Sequence, residues 1–309
     1  MNNSFLSSTI SNPEEFDKVF TEVTHDGSLG LVNENEIRIF QMNIQDYHFL
    51  LDELKDFLDI NIGRYVLSRA ARDGLEKSGK RENIASKASR LLRSKGKIDI
   101  KGTGNELGEM LIYIFLEKVL GAPKLMSKVE LDFLGNTSET EAVHLHSTTH
   151  DGAEINQLVF GASSIVGDLG DAISQVEHTL LKINVSKREE IKLIEENILS
   201  ESFDDETTKK IMQLLIPSEK AVPHPEPAYG IFLGYTLGID HSNRTPSQYE
   251  QQAQQKIKDD IAVNIPRIAE IINKSNLSGY SFYIYILPFN DAENDKLDIM
   301  DYVLGGGNL

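Results

Sequence analysis

Apolar residues along this chain recur with two periods, and the switches between them mark out its elements. Helical spacing comes first. Phe49, Leu50, Leu54 and Phe57 predict a helix over 47–58, and a second is expected over 62–77. Asn83 is placed to cap a third, with Ile84, Ala88, Leu91 and Leu92 on it and Lys87, Arg90 and Arg93 on its other faces. Before these, Asn12-Pro13-Glu14-Glu15 opens a short helix and residues 36–40 have strand character. Gly102-Thr103-Gly104 then separates a mainly helical region, 1–101, from an α/β domain, 102–309.

The second unit opens with a helix over 108–120, which Gly121-Ala122-Pro123 stops. Strands are expected over 129–133, 141–145 and 158–165. His150-Asp151-Gly152 turns the last two into a hairpin, Asp-Gly supplying the positive φ of a tight turn. A helix over 168–183 and an acidic helical section over 186–216 follow. Beyond the stiff Val222-Pro223-His224-Pro225-Glu226-Pro227 connector, residues 229–239 and 280–287 are apolar at odd and even positions alike. That is the pattern of central strands covered on both faces. Between them a helix over 246–273 sets Ile257, Ile261, Ile265 and Ile268 on one stripe, and Pro266 is expected to kink or split it. The terminal Gly305-Gly306-Gly307 is expected to be flexible. Helix, three strands, helix is the order of an α/β sandwich with an antiparallel hairpin.

Composition narrows the classes. With 309 residues, 40% of them apolar, the chain can bury a substantial core. It has no cysteine, which excludes a disulfide framework, a thiolate zinc site and a cysteine nucleophile. The first residues lack the basic and apolar regions of a signal peptide, and the longest apolar run, 110–116, is far too short for a membrane span. A soluble cytoplasmic protein is expected. The net charge of −17 argues against coating nucleic acid by bulk electrostatics. Residues 64–101, however, hold twelve Lys or Arg against four acids, a balance of +8 that leaves −25 on the remainder. Such a segment suits a localised phosphate contact, with Lys87, Arg90, Arg93, Lys95 and Lys97 as the candidate DNA-binding residues. A solvated face docked on the protein's own acidic surface is the plainer alternative.

The chemistry-bearing pattern is Glu109 near the start of helix 108–120, followed by Glu141 on the first hairpin strand. Helix acid and strand acid are the layout of a metal-dependent nuclease core. Such a core needs a further carboxylate and a lysine two residues apart on the second strand, so that they share a face. The acids hold Mg²⁺ and the lysine orients water and steadies the pentavalent phosphate. At those places the chain has Ala162 and Ser164. His144, His146 and His150 have a spacing that can ligate zinc. Strand alternation sets the first two opposite Glu141, though, and a hydrogen-bonded histidine near the rim is the better reading. Ser163 and Ser164 have no neighbouring histidine base, so a serine hydrolase has little support.

Several runs carry a family resemblance: Gly108-Glu109-Met110-Leu111-Ile112-Tyr113-Ile114-Phe115-Leu116-Glu117-Lys118, Leu120-Gly121-Ala122-Pro123-Lys124-Leu125-Met126-Ser127-Lys128, Ala142-Val143-His144-Leu145, Leu158-Val159-Phe160-Gly161 and Ile286-Leu287-Pro288-Phe289-Asn290. Together they resemble the HamA-like small subunit of the Hachiman anti-phage defence system. The likeness is clear over 104–183 and near 280–300, and weak in the first hundred residues. It implies a PD-(D/E)xK, restriction-endonuclease-like core, a central mixed sheet flanked by helices, and Mg²⁺-dependent DNA cleavage restrained by a HamB-like superfamily 2 helicase. By that resemblance Glu109 and Glu141 are the catalytic and metal-binding acids, Ala162 stands at the family's Glu position and Ser164 at its Lys position. The chain as written is therefore expected to cleave little or nothing, since single electrostatic contacts in active sites are worth about 10²–10³ in rate. The alternatives are a non-catalytic adaptor that binds helicase and DNA, and a nuclease whose lysine has migrated, with Lys128 as donor.

Overall fold

The computed structural model describes residues 6–10, 12–34, 36–94, 105–133, 138–150, 152–198, 203–216, 224–240 and 242–305. The expected Lys95 and Lys97, and Gly306 and Gly307, lie outside them. The first elements in chain order are α1 (Pro13–Val19), β1 (Phe20–Val23), β2 (Ile37–Met42), β3 (Ile44–Gln45), β4 (His48–Phe49), α2 (Leu51–Val66), α3 (Arg69–Lys77) and α4 (Asn83–Ser94). Next come α5 (Asn105–Lys118), β5 (Lys124–Ser127), α6 (Lys128–Phe133), β6 (Ala142–His150), β7 (Ala153–Ile165), α7 (Leu169–Ile198) and α8 (Asp205–Leu215). The chain closes with β8 (Glu226–Thr236), α9 (Pro246–Lys274), β9 (Ser281–Phe289) and α10 (Ala292–Val303).

Seven strands form one mixed sheet in the order β1-β2-β9-β8-β7-β6-β5. The β2–β9, β9–β8 and β8–β7 pairs are parallel, and the outer pairs are antiparallel. The two-sided apolar strands are central as expected, and their alternation sorts the helices into layers. On β8, Phe232 stacks towards Phe115 of α5, with ring centroids 5.5 Å apart. Tyr229 instead faces Asn184 of α7, its hydroxyl 3.3 Å from Oδ1. Thus α5 covers one face and α7 the other, and the α/β nuclease-like architecture follows.

The 101/102 boundary does not divide two cores. β2 adds to β9 in parallel register, Ile37 to Ile284 and Ile39 to Ile286, so the N-terminal region completes the sheet. Residues 129–133 form helix α6, and the strand lies just before it. Ser127-Lys128-Val129-Glu130 is a capping box: Glu130 accepts from the Ser127 amide at 2.7 Å and the Glu130 amide donates to Ser127 Oγ at 3.3 Å. The helix expected over 62–77 breaks at Leu67. There Ser68 caps α3, and Lys124 Nζ donates to the carbonyls of Arg64, Tyr65 and Leu67 at the end of α2. The hairpin is longer than 141–145 and 158–165, pairing out to His150 and Ala153, with Gly152 at φ 79° in the turn. α7 continues without a break for 30 residues, and α9 runs unbroken through Pro266. α10, capped by Asp291, has no counterpart in the sequence reading. Among the described residues no helix is long and apolar enough to cross a membrane.

Candidate functional site

The C-terminal end of β7, the start of β6 and the first turns of α5 meet at one end of the sheet. Gly108 makes that meeting possible. A Cβ on it would come within 2.1 Å of Ser163 Oγ, so α5 can lie on β7 only where it has no side chain. The next residue, Glu109, is thereby buried at 5% exposure. Tyr65, from the last turn of α2, donates its hydroxyl to Glu109 Oε2. Lys128, the first residue of α6, places its ammonium 3.8 Å from Glu109 Oε1. Its amide also donates to the Glu141 carbonyl at 3.0 Å, tying α6 to the start of β6. Glu141 itself is buried at 3% exposure.

These groups act on one another strongly. Burial, then the neighbouring Glu109 carboxylate, raises the Glu141 carboxyl to about 8, with Ser163 and Lys128 pulling the other way. Burial works against the Lys128 ammonium, but Glu109, Glu141, Asp132 and Glu139 outweigh it and hold lysine's pKa above its ordinary value. Burial and Glu109 push the Tyr65 phenol well up, so it stays protonated and can donate to Glu109. Ser163 acts on Glu141 as a hydrogen-bond donor, through its side chain and its backbone. Both residues line a cavity of about 630 Å³ together with Lys128, Glu139, Val166 and a polar stripe of α7. The stripe is Asp171, Ser174, Gln175, His178, Thr179 and Lys182. Glu109 lies behind this wall, in contact with it through Lys128.

Of the residues expected from sequence, Glu109 and Glu141 are brought together, and Lys128 joins them. Ala162 and Ser164 do not line the cavity. Ser163 and Ile165 face Gly108 of α5, so alternation turns Ala162 and Ser164 towards the α7 layer, where both are buried. The expected opposition of Glu141 to the histidines also fails, because Glu141 precedes β6 and its carboxyl turns to Glu109 on the α5 side. His144 sits on that same side, its ring centroid 6.0 Å from that of Tyr113, and its Nδ1 donates to the Ala122 carbonyl at 2.7 Å. Burial lowers His144 and His146 to about 4, which fits packed neutral rings. The side chain of His150 lies outside the described residues.

Lys87, Arg90 and Arg93 lie on α4, away from the cavity lining, with Arg90 and Arg93 exposed. α4 connects to the acid pair through α2, where Ile84 closes on Gly63 and Tyr65 reaches Glu109. Sequence reading missed Tyr65 and the α7 stripe, and weighed Ser163 only as a nucleophile. The stripe was visible as polar residues at i, i+3, i+4, i+7, i+8 and i+11.

A divalent cation does not fit the groups as they stand. Among the described residues no three His, Cys, Asp or Glu are grouped to hold a metal. Ala162 offers no oxygen, an ammonium already pairs with Glu109, and Glu141 is held protonated by burial and Glu109 up to about pH 8. A family model, HamA, matches residues 16–303. No curated protein and no solved structure matches the chain. The match takes in β1 and β2 as well as the helices and strands around Glu109 and Glu141. The chain belongs to the HamA family and is a protein of Hachiman anti-phage defence.

Proposed function

We propose that this chain is the DNA-directed subunit of a cytoplasmic Hachiman complex, held by a HamB-like helicase, in which its own phosphodiesterase centre is disabled. The observation that carries the reading is the acid pair itself: among the described residues no third carboxylate is grouped with Glu109 and Glu141, and β7 offers only the small, buried Ala162 and Ser164 at the two places the family resemblance singles out. Without a third carboxylate and a strand lysine, the remaining groups have too few oxygens for the two tasks of the reaction, holding the metal and activating water. The exposed Arg90 and Arg93 on α4 supply a phosphate-contacting face, and the acidic remainder of the chain complements a basic helicase surface.

The test is plasmid cleavage in Mg²⁺ by the chain and by its Ala162→Glu/Ser164→Lys variant, each with and without the helicase, after both are shown to be folded. No cleavage by the parent is the expected result, with or without the helicase; because Ala162 and Ser164 face the α7 layer, cleavage by the variant would show in addition that its new side chains reach the acid pair. Cleavage by the parent would end this reading. A second reading draws on the 3.8 Å approach of Lys128 to Glu109: the lysine is supplied by α6 and the chain cleaves as it is. In that case the parent cleaves and Lys128→Ala abolishes it.

A further inference from the structure

Lys128 lines the cavity beside Glu141 and also reaches the buried Glu109, and the sequence around it fixes the start of its helix there. The capping box at Ser127 and Glu130 starts α6 at residue 128, and the Lys128 amide is anchored to the Glu141 carbonyl at 3.0 Å. Its side chain then has little freedom to leave. It is 27% exposed, stands 3.8 Å from Glu109 and feels Glu109, Glu141, Asp132 and Glu139 together. Two facts suggest that this arrangement replaces something. Glu141 and Ser163 are buried at the cavity wall beside Lys128, so oxygen donors stand there besides the Glu109 carboxylate with which the ammonium pairs. The acid pair also sits where a cation would be expected, yet among the described residues no third ligand is grouped with it.

We infer that the Lys128 ammonium takes the electrostatic place of a divalent cation beside Glu109, neutralising that carboxylate and excluding metal from the pair it forms with Glu141. An ammonium on a flexible stem can offset a carboxylate without the close octahedral shell of oxygens that Mg²⁺ demands. A second cation brought to the same acids would meet its charge at short range, an unfavourable interaction that local water screens only in part. The site is thus kept in its folded arrangement without metal. The inference deepens the reading of a disabled centre and concerns metal binding alone, so it can fail while that reading stands.

The experiment is titration of the full-length chain with Mn²⁺, followed by electron paramagnetic resonance without DNA. It compares the parent, Lys128→Met, Lys128→Gln and the double variant Lys128→Met/Glu141→Gln. The single variants should bind one Mn²⁺ about tenfold to a hundredfold more tightly than the parent, and the double variant should lose that gain. Circular dichroism confirms that each is folded, and Gln retains a polar tip should Met disturb packing. Tight Mn²⁺ binding by the parent would overturn the inference without any variant. So would folded variants that bind no better than the parent, or a gain that survives loss of Glu141. Cleavage by a parent that still binds no Mn²⁺ would instead overturn the disabled-centre reading and leave this one intact.

Discussion

At the scale of single residues, the site is governed by how much charge its buried groups can carry. Glu141 is an acid whose folded-state pKa, about 8, lies above the ordinary carboxylate value of 4.5, chiefly through burial and then Glu109. The folded protein therefore holds a proton that the unfolded chain has released. Glu141 costs no stability below about pH 4.5, lowers it progressively from there to about 8, and lowers it no further above. His144 and His146, lowered to about 4 by burial, act in the opposite sense, stability rising with pH between about 4 and 6.5. The Glu141→Gln variant isolates the first effect. Its gain over the parent in urea-unfolding midpoint should be small at pH 4.5, grow through neutrality and level off beyond pH 8. A difference independent of pH would show that this carboxyl titrates normally.

At the scale of elements, the approach of α5 to β7 decides where Glu109 sits. Gly108 costs the helix about 1 kcal/mol relative to alanine by intrinsic preference. A Cβ there would stand 2.1 Å from Ser163 Oγ and 2.8 Å from Ser163 Cβ, and overpacking of this kind costs about 1–3 kcal/mol. Packing therefore outweighs propensity, and Gly108→Ala should destabilise the protein by about 1–2 kcal/mol, measured by denaturant unfolding. Gly108→Ala with Ser163→Gly should restore most of that loss. If the double variant is no better than the sum of the two single changes, the contact does not set the docking of α5. The end of α2 is fixed in a comparable way. Lys124 donates to three of its carbonyls and pairs with Glu130 at 3.0 Å, and that placement lets Tyr65 reach Glu109.

For the whole molecule, the N-terminal hundred residues belong to the same sheet and core as the rest. β2 covers the edge of β9, and Glu117 of α5 accepts from the Thr9 amide at 2.6 Å and its hydroxyl at 2.9 Å. Deleting residues 1–101 should leave a chain with no cooperative thermal transition by circular dichroism, since Ile286 and its neighbours on β9 would lose their partner strand. A sharp transition in 102–309 would show that the later unit stands alone. What the sequence by itself determined were the properties carried by local pattern: the two central strands, from apolar residues at every position, the hairpin, from Asp-Gly between strand-forming runs, and most helices, from 3.6-residue spacing. The family likeness singled out Glu109 and Glu141, and the absence of acid and lysine at 162 and 164, because those are identities and need no geometry. Tertiary structure alone decided which of these groups meet. Whether Glu141 turns to Glu109 depends on where β6 begins. Lys128 reaches Glu109 with its side chain and the Glu141 carbonyl with its amide because a capping box at Ser127 starts α6 there, and Tyr65 arrives from a helix 44 positions before Glu109. Strand alternation tells which residues share a face, but the layer that each face meets is set by packing between segments distant in sequence, where no local period carries the information.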